Sequence, residues 1–434
     1  MYYIQNNTRM EKELIKSLII EYQDFALNQD FITRPFSLED KANYVFVGLR
    51  RSGKSYLMYQ QIHHLIQEGH SIEEICYINF EDDRLVGLQL NDLEQIKRAY
   101  EEMFTYKPIF FLDEIQLIPS WEKFTRRLVD TGYQVYVTGS NAQMLSSEIA
   151  TTLGGRFLIQ EVYPYSFSEY LQAQQISLEK NWQFKPSVRS QVARSFNDYF
   201  HQGALPELLL FKDKRSWLRS LYQKIFFGDL IARYEIRNVN AMRLLIKKLA
   251  ESVKQPSSYT RLANIISTAG AKVGTQTIID YINYTEESWL IFSINNFASR
   301  FAEKESNKKY YFLDNGILSL FLFDPETSLL ENQVAIQLKK IYGEQLYFYN
   351  QNIEIDFLIP DEGLAIQVSY SLQDPETEKR EIGALLKADA FLHLKRMMII
   401  TRDEKRTIQV QERTIEVVPI WEWILTPSPH KSSV

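Results

Sequence analysis

The motif whose residue types and spacing point most clearly to chemistry lies between residues 48 and 55. It reads G-x-x-x-x-G-K-[ST], the phosphate-binding P-loop pattern, and ends with Gly53, Lys54 and Ser55. Glycines let the backbone turn so that N–H groups face phosphate oxygens. The lysine reaches the β- and γ-phosphates, and the hydroxyl ligates Mg²⁺. The residues expected to contact a nucleotide are Gly48, Arg50, Arg51, Ser52, Gly53, Lys54, Ser55 and Tyr56.

The segments on either side favour a nucleotide site over an ordinary surface turn rich in Gly and Ser. Residues 44–47 are apolar and favour a β-strand, and residues 56–62 are compatible with a helix. Strand, loop and helix in this order are the context that a working P-loop requires. The N-terminus of the helix also places the positive end of a dipole beside the phosphates.

A second motif supplies the acids that ATP hydrolysis needs. Residues 108–114 form an apolar run that ends in Asp113 and Glu114, which is typical of a buried strand in a parallel sheet. Ligands bind beyond the carboxyl ends of such strands. We expect Asp113 to hold Mg²⁺ together with Ser55, and Glu114 to act as the base that orients the attacking water. A plain acidic turn is the alternative, but the two motifs together predict that the chain binds and hydrolyses ATP with Mg²⁺.

Other polar residues could assist hydrolysis. The apolar run at residues 134–138 is followed by Ser140 and Asn141, either of which could hydrogen-bond the attacking water or the γ-phosphate. A plain strand-ending turn explains them almost as well. Arg156 follows a Gly-Gly pair, and such an arginine can reach a phosphate in its own site or in a neighbouring subunit. A surface arginine after a helix C-cap is the alternative, so the candidate catalytic residues are Glu114, Ser140, Asn141 and Arg156.

The order of apolar runs predicts the fold class. Residues up to about 35 have helical spacing, and strands are then expected near 44–47, 75–80, 108–113, 134–138 and 157–162, with helices between them. This alternation predicts an α/β fold with a parallel sheet covered on both faces. If the strand order follows the additional-strand class of P-loop ATPases, an acidic strand lies between the P-loop strand and the Asp113 strand.

Composition limits the classes of protein to which the chain can belong. A length of 434 residues suggests about three domains, and 45% hydrophobic with 24% charged residues is ordinary for a globular protein. With a net charge of −6, nucleic acid could be bound only by a local basic patch. The single cysteine, Cys76, fits a reducing cytoplasm, and the start of the chain has no signal-peptide pattern. No apolar run approaches the ~20 residues of a membrane span, so we expect a cytoplasmic protein with no membrane partner.

Three stretches resemble a prokaryotic branch of the AAA-type ATPases. They are a P-h-S-F-x-E-h run within residues 161–171, an L-x-G-R element at 153–156, and a G-G-h-P-E element at 203–207. The resemblance covers essentially the whole chain. It implies an AAA-type P-loop core with a helical lid, and a C-terminal domain of unknown function related to PD-(D/E)XK nucleases. It also implies a homo-oligomer, for which a hexamer is one candidate.

We divide the chain into segments on the basis of these patterns. They are an N-terminal helical segment (1–35), an AAA-type P-loop ATPase domain (36–165), a helical lid (166–240), a winged helix-turn-helix (241–313) and a degenerate nuclease-like α/β domain (314–434). On the third helix of the winged segment, Gln276, Asp280 and Asn283 are available to read DNA, with Lys272 and Arg261 nearby. Asp280 would oppose phosphate, however, and winged helices also serve as protein–protein modules.

The last segment departs from the pattern that metal-dependent cleavage requires. Nucleases of the resembled type need an Asp on one strand and [DE]-x-K on the next, where the acids hold Mg²⁺ and the lysine orients water. Asp356 supplies the first acid, but Gln367 and Ser369 stand where the second acid and the lysine are expected. Glutamine cannot offer a carboxylate's charge to a hard cation. Glu354 lies on the same strand face as Asp356 and could compensate for the missing acid. Glu331 lies on the preceding helix. Because the second acid and the lysine are replaced, we expect a nuclease-like fold without nuclease activity.

These patterns predict Mg²⁺-dependent ATP hydrolysis by an AAA-type ATPase that binds DNA, duplex or branched, and remodels or translocates it. One alternative is an ATP-gated switch in signalling or defence that acts through protein–protein assembly. The other is an ATP-dependent nuclease. ATP turnover that DNA stimulates would favour the ATPase that remodels or translocates DNA. Slow turnover that DNA does not change would favour the switch, and metal-dependent nicking of DNA would favour the nuclease.

Overall fold

The structure, a computed structural model, describes residues 12–139, 153–299 and 307–426. The chain divides into two compact units, Met1–Tyr163 and Pro164–Val434, each with its own β-sheet. Ser140 and Asn141 lie outside the described residues. Across the three described ranges, no helix combines the length and apolar character needed to cross a membrane.

In the described part of the first unit, the strands form a five-stranded parallel sheet. They are β1 Asn43–Val47, β2 Ile75–Asn79, β3 Ile109–Asp113, β4 Gln134–Gly139 and β5 Phe157–Glu161, in the order β2-β3-β4-β1-β5. All neighbouring pairs run parallel, which confirms the predicted sheet. One strand lies between β1 and β3, as expected, but it is β4, whose residues include no acid. The prediction of an acidic strand there was wrong.

Helices pack on the sheet of the first unit. They are α1 Lys12–Leu27, α2 Lys54–Gln67, α3 Leu90–Met103 and α4 Trp121–Asp130, with 3-10 helices at Ile72–Glu74, Asp83–Leu85 and Ile115–Leu117. The core between α2 and the sheet contains stacked rings of Tyr44, Phe46, Phe111 and Tyr136. Gln23 anchors α1 by donating hydrogen bonds to the backbone oxygens of Ile72, at 3.0 Å, and Ile75, at 2.7 Å. The N-terminal helix is therefore part of this unit.

The second unit begins with helices. They are α5 Phe167–Ala173, α6 Pro186–Gln202, α7 Lys214–Lys224, a π-helix at Ile225–Ala232, α8 Val239–Glu251, α9 Tyr259–Thr268 and α10 Thr275–Glu287. The later α-helices are α11 Asn315–Ser319, α12 Glu326–Tyr342, α13 Pro375–Leu392 and α14 Ile420–Trp423, and 3-10 helices lie at Trp182–Phe184, Pro206–Leu210 and Gly343–Gln345. Helix α5 starts with a capping box, in which the Ser166 hydroxyl accepts from Glu169 N and the Glu169 carboxylate accepts from Ser166 N. This box is the physical basis of the S-F-x-E element in the sequence.

The element at residues 203–207 is fixed by a buried carboxylate. Gly203 has φ of 85°, and a Cβ there would lie 2.2 Å from Oδ1 of Asp314, so only glycine fits. Asp314 accepts hydrogen bonds from the backbone N of Ala204, at 2.8 Å, and of Ile317, at 3.0 Å. Burial raises the pKa of Asp314 to about 6, and the backbone hydrogen bonds act against this rise. The element thus holds the start of α11 in place.

A nine-stranded mixed sheet is seen among the described residues of the second unit. Its strands are β6 Ser257–Ser258, β7 Ile291–Asn296, β8 Asn307–Phe312, β9 Tyr347–Asn350, β10 Glu354–Ile359, β11 Leu364–Val368, β12 Arg396–Thr401, β13 Arg406–Val410 and β14 Arg413–Pro419. They lie in the order β13-β14-β12-β11-β10-β9-β7-β8-β6. The β7–β8 hairpin lies in the segment predicted as a winged helix-turn-helix, and it joins the later strands because Asn295 and Asn296 pair with Tyr347 and Phe348. The sheet therefore crosses the predicted border at residue 313; the domain borders, the winged helix and the nuclease-like fold stay predictions.

Candidate active site

The P-loop motif lies between the end of β1 and the first turn of α2, at the carboxyl edge of the sheet. Gly48 has φ of 153°, and a Cβ there would lie 2.2 Å from the backbone oxygen of Val162. Gly53 has φ of 96° and immediately precedes α2. Both conformations are costly for residues with a side chain, which explains the two glycines of the motif. The first turn of α2 offers backbone N–H donors and a positive dipole end beside the loop.

Two polar side chains of the loop are buried. The Lys54 ammonium donates to the backbone oxygens of Gly48, at 3.2 Å, and Leu49, at 3.3 Å. The hydroxyl of Ser52 has no hydrogen-bond partner within the described protein. Buried hydroxyl groups are normally satisfied, so Ser52 fits a site that holds a ligand with acceptor oxygens.

The other predicted nucleotide contacts are more exposed. Arg50 pairs with Glu81 at 3.1 Å, and Arg51 lies on the surface of the loop with φ of 65°. Tyr56 is exposed on the first turn of α2 and packs edge-on against Tyr59. The structure keeps these three residues near the loop, and their contact with nucleotide stays a prediction.

Asp113, the last residue of β3, is buried near the P-loop. Its Oδ2 accepts a hydrogen bond from Tyr77 Oη at 2.6 Å, and its Oδ1 accepts one from Thr138 Oγ1. Burial, followed by the charge of Glu114, raises the pKa of Asp113, whereas hydrogen bonds with Thr138, Tyr77 and Ser55 lower it. A divalent cation here would stabilise the charged carboxylate. The structure therefore brings together Ser55 and Asp113, the residues predicted to hold Mg²⁺.

Thr138 connects the expected metal ligand to the expected base. Glu114 follows β3 in a left-handed conformation with φ of 54°, and its backbone N donates to Thr138 Oγ1 at 2.9 Å. The Glu114 carboxylate accepts a hydrogen bond from the Gln116 side chain. Sequence analysis missed Thr138 because threonine is common inside strands. The one available signal was a hydroxyl at the exit of an apolar strand.

Arg34 also escaped sequence analysis, although it fixes the loop. Its Nη1 donates to Ser52 O at 3.2 Å and its Nη2 to Tyr163 O at 3.0 Å. The backbone of Arg34 exchanges two hydrogen bonds of 2.9 Å with the side chain of Gln60 on α2. Arg34 therefore joins the P-loop, α2 and the chain after β5, but it belongs to no sequence motif that could have identified it.

Arg156 lies at the opposite edge of the sheet from the P-loop. It directly precedes β5, and the parallel pairing places Phe157 beside Asn43, at the start of β1. Its Nε donates to Asp130 at 2.6 Å. The 5 residues of β1 separate this edge from the P-loop, a span of roughly 16 Å. The prediction that Arg156 reaches the phosphate in its own site does not fit this position; action in a neighbouring subunit stays a prediction.

The acids expected in the nuclease-like segment surround a lysine that sequence analysis did not consider. Lys309 Nζ lies 3.3 Å from Glu331, 3.4 Å from Glu354 and 3.2 Å from Asp356. Gln367, on the next strand, accepts a hydrogen bond from Asp356 N and donates one to Glu381. Among the described residues, no group of three or more His, Cys, Asp or Glu side chains is arranged to hold a metal ion.

Comparison with protein families identifies two parts of the chain. A family model described as "AAA domain" matches residues 40–171, and one described as "Domain of unknown function (DUF8612)" matches residues 193–327. The P-loop, Asp113 and Thr138 all lie within the first match. The chain therefore contains an AAA domain with a P-loop at residues 40–171.

The chain belongs to the family that includes the uncharacterized protein MJ1544 of Methanocaldococcus jannaschii. The two are 32% identical over 433 residues, which cover 96% of each. An uncharacterized protein of Haemophilus influenzae is 27% identical over 395 residues, which cover 88% of this chain and 94% of that protein. Among solved structures, the Walker-type ATPase of Pyrococcus abyssi is 11% identical, with a TM-score of 0.39 over 72% of this chain and 95% of that chain. That structural likeness is too low to carry a conclusion about the present chain.

Proposed function

We propose that the chain hydrolyses ATP with Mg²⁺ and uses the cycle to remodel or translocate DNA. The observation that carries the catalytic part is the hydroxyl of Thr138, which contacts both the Asp113 carboxylate and the backbone N of Glu114. One side chain thereby sets the position of the expected metal ligand and that of the expected base. Such fixed placement is what phosphoryl transfer demands, because positioning and charge stabilisation supply most of its catalysis.

The residues present fit a nucleotide and a divalent cation. Lys54 would neutralise charge on the β- and γ-phosphates, and the N–H groups of the first turn of α2 would hold phosphate oxygens. Ser52 offers a buried hydroxyl without a protein partner, and Ser55 with Asp113 would ligate the cation. A bound Mg²⁺ supplies charge stabilisation to the phosphates. Glu114 would orient the attacking water and accept its proton.

DNA as partner is supported by exposed polar side chains on α10 and just before it. Lys272, Gln276 and Asn283 are exposed, so a cation and two amide groups are available to a polyanion and its bases. Gln276 Nε2 donates to Asp280 Oδ1 at 3.0 Å, which engages one of the carboxylate oxygens that would oppose phosphate. A homo-oligomer is supported by the place of Arg156, which is exposed enough to meet a neighbour at the edge away from its own P-loop.

The test measures ATP turnover with duplex, single-stranded and branched DNA and without DNA. We expect turnover to rise with at least one DNA form, and Lys54→Ala to lose both ATP binding and turnover. Lys272→Ala should weaken the stimulation and its dependence on salt, because one phosphate contact is lost. Lys41→Ala, an exposed lysine of the first unit, is the matched control. Turnover that no DNA changes would contradict the DNA part and favour an ATP-gated protein switch.

We also propose that the nuclease-like segment does not cleave DNA. This is supported by the two residues that replace the second acid and the lysine, since Gln367 and the Ser369 hydroxyl are both held in structural hydrogen bonds. The expected result is no Mg²⁺- or Mn²⁺-dependent cleavage of linear or branched DNA. Wild-type cleavage that disappears in Asp356→Ala but survives Lys54→Ala would make the protein an ATPase-linked nuclease instead.

A further inference from the structure

Lys309 is a fully buried lysine on β8, and its ammonium lies among three carboxylates. Its side chain has 0% exposure, and Nζ lies within 3.4 Å of an oxygen of Glu331, Glu354 and Asp356. Burial of an ammonium ion is costly unless it is paired and hydrogen-bonded. Although burial acts to lower it, the pKa of Lys309 is raised, because these three carboxylates outweigh burial. The lysine therefore carries a charge inside the protein.

The cluster is built by elements that are distant in sequence. Glu331 comes from α12 and Asp356 from β10, 22 and 47 residues from Lys309. Tyr311 Oη donates to Glu331 at 2.8 Å, and Val368 N donates to Asp356 Oδ2 at 2.9 Å. Burial, together with the charge of Asp356, raises the pKa of Glu331, and the Lys309 ammonium works against this rise. Glu331 Oε1 thus accepts from both Tyr311 and Lys309, and Asp356 accepts from Lys309 through Oδ1.

A divalent cation, which the sequence resemblance implies near Asp356, does not fit these residues. Gln367 accepts from Asp356 N at 2.8 Å and donates to Glu381 at 2.8 Å and to Glu354 O at 3.2 Å. The Ser369 hydroxyl donates to Ser371 O at 3.0 Å. The side chains of Gln367 and Ser369 thus make their hydrogen bonds within the protein.

We propose that the Lys309 ammonium is the built-in cation of this cluster and that it excludes Mg²⁺ and Mn²⁺ from it. One site cannot hold an ammonium and a divalent cation at contact with the same carboxylates, because their repulsion in a buried place is large. The ammonium lies 5.7 Å from the centre of the Phe348 ring, a further contact suited to an organic cation. The fixed cation joins the β7–β8 hairpin to β10 and α12 without any metal.

The cluster is reachable from solvent, so the exclusion can be tested. The Glu354 side chain is 50% exposed, whereas those of Asp356 and Glu331 are 14% and 5% exposed. The probe is Mn²⁺ without nucleotide, followed on the full chain by electron paramagnetic resonance and calorimetry. Wild type and Asp356→Asn should bind the same number of Mn²⁺ ions. Lys309→Met should gain one site, at least about tenfold tighter than any metal binding of wild type to this cluster, because several carboxylates then surround a vacant cation position.

Two control variants test whether the additional Mn²⁺ site lies among the carboxylates around residue 309. Lys308→Met makes the same change one residue away, on the other face of β8, and should behave as wild type. Adding Asp356→Asn to Lys309→Met should remove the new site. Mn²⁺ should also raise the melting temperature of Lys309→Met alone, after the substitution has lowered it by roughly 10 °C through the unpaired buried charges.

The role of Lys309 as the cation can also be tested if Lys309→Met does not fold without metal. Recovery of folding by Mn²⁺, or by the added changes Glu331→Gln and Asp356→Asn, would support the role of Lys309 as the cation. A chain that neither treatment recovers would contradict it. So would wild-type Mn²⁺ binding that Asp356→Asn abolishes, or a folded Lys309→Met chain that binds no additional Mn²⁺.

Discussion

Each unit contains an aspartate with little solvent exposure, and the two are held in different ways. In the first, hydroxyl groups of Tyr77 and Thr138 hold Asp113 near a P-loop. In the second, a buried ammonium and a backbone N–H hold Asp356. Hydroxyl groups orient a carboxylate and leave its charge to be balanced by a cation, whereas an ammonium balances that charge itself. An acid with little solvent exposure therefore indicates a metal site only when its neighbours do not already balance its charge.

The largest expected effect is at the base of the first unit. Glu114→Gln keeps the shape of the side chain but removes its basicity, so ATP should still bind while turnover falls by about 10²–10⁴-fold. Equilibrium binding of a fluorescent ATP analogue and steady-state phosphate release measure the two quantities separately. Gln116→Ala, which removes a hydrogen-bond partner of Glu114 without changing its charge, is the control and should cost less. Normal turnover in Glu114→Gln would show that Glu114 is not the base.

Arg156 tests whether the first unit is complete without a neighbour. If Arg156 acts on an adjacent subunit, Arg156→Ala should reduce turnover by ~10³-fold, the usual size of an arginine-finger effect. Mixtures of Arg156→Ala and Lys54→Ala chains should regain part of the activity, because some interfaces then pair an intact arginine with an intact P-loop. Arg126→Ala removes another arginine that pairs with Asp130 and should leave turnover nearly unchanged. Full activity of a monomer at every concentration would exclude the role for Arg156.

Tyr77 tests how strictly the Asp113 carboxylate is positioned. Tyr77→Phe removes the 2.6 Å hydrogen bond, and loss of such an outer partner typically costs 10–100-fold in metal affinity or activity. We therefore expect a higher Mg²⁺ concentration for half-maximal turnover, with ATP binding in the absence of metal unchanged. Tyr59→Phe keeps the Asp113 contact and loses only the 3.1 Å contact with Tyr77, so it should shift the Mg²⁺ dependence less. Equal shifts in both variants would mean that packing, not the hydrogen bond, is responsible.

Asp314 extends the comparison to a buried acid whose closest partners are backbone N–H groups. Its pKa is about 6 in the folded chain and about 4 in an unfolded chain. The folded state therefore holds the proton more tightly, and the stability from this group is present below about pH 4 and lost as the pH rises through 6. Relative to Asp314→Asn, wild type should gain about 2 kcal/mol in unfolding free energy between pH 7 and pH 4.5. Denaturant titrations at both pH values measure this gain, and a pH-independent difference would refute it.

Local patterns were sufficient to predict the strands and the two motifs of the first unit. The strands of its sheet and the residues of the two motifs lie where the apolar runs and glycines placed them, because a P-loop is one continuous segment. The acid at the end of β3 was predictable for the same reason. Thr138 was not, since its role depends on the lateral order of β3 and β4, which no single strand reveals.

The second unit was harder to predict because its polar groups meet across the fold. Gln367 and Ser369 were predicted to be poor metal ligands, which stays a prediction, and the ammonium that we propose in place of a metal could not be found near them. Lys309 lies in a hairpin that had been assigned to another domain, and a lysine in an amphipathic strand ordinarily faces solvent. The pairing of β7 with β9 brings it to the acids. Pairing over this sequence distance is set by tertiary packing and leaves no periodic signal.

The continuity of the β7–β8 hairpin with β9 also limits how this protein can evolve. A recombination breakpoint near residue 313 would take Lys309 away from its carboxylates and expose the backbone edge of β9. Descendants of such an event would inherit an uncompensated charge cluster on one side and an unsatisfied strand on the other. Recombination between lineages would therefore have to exchange the hairpin together with the strands that follow it. The P-loop unit is not bound by this constraint.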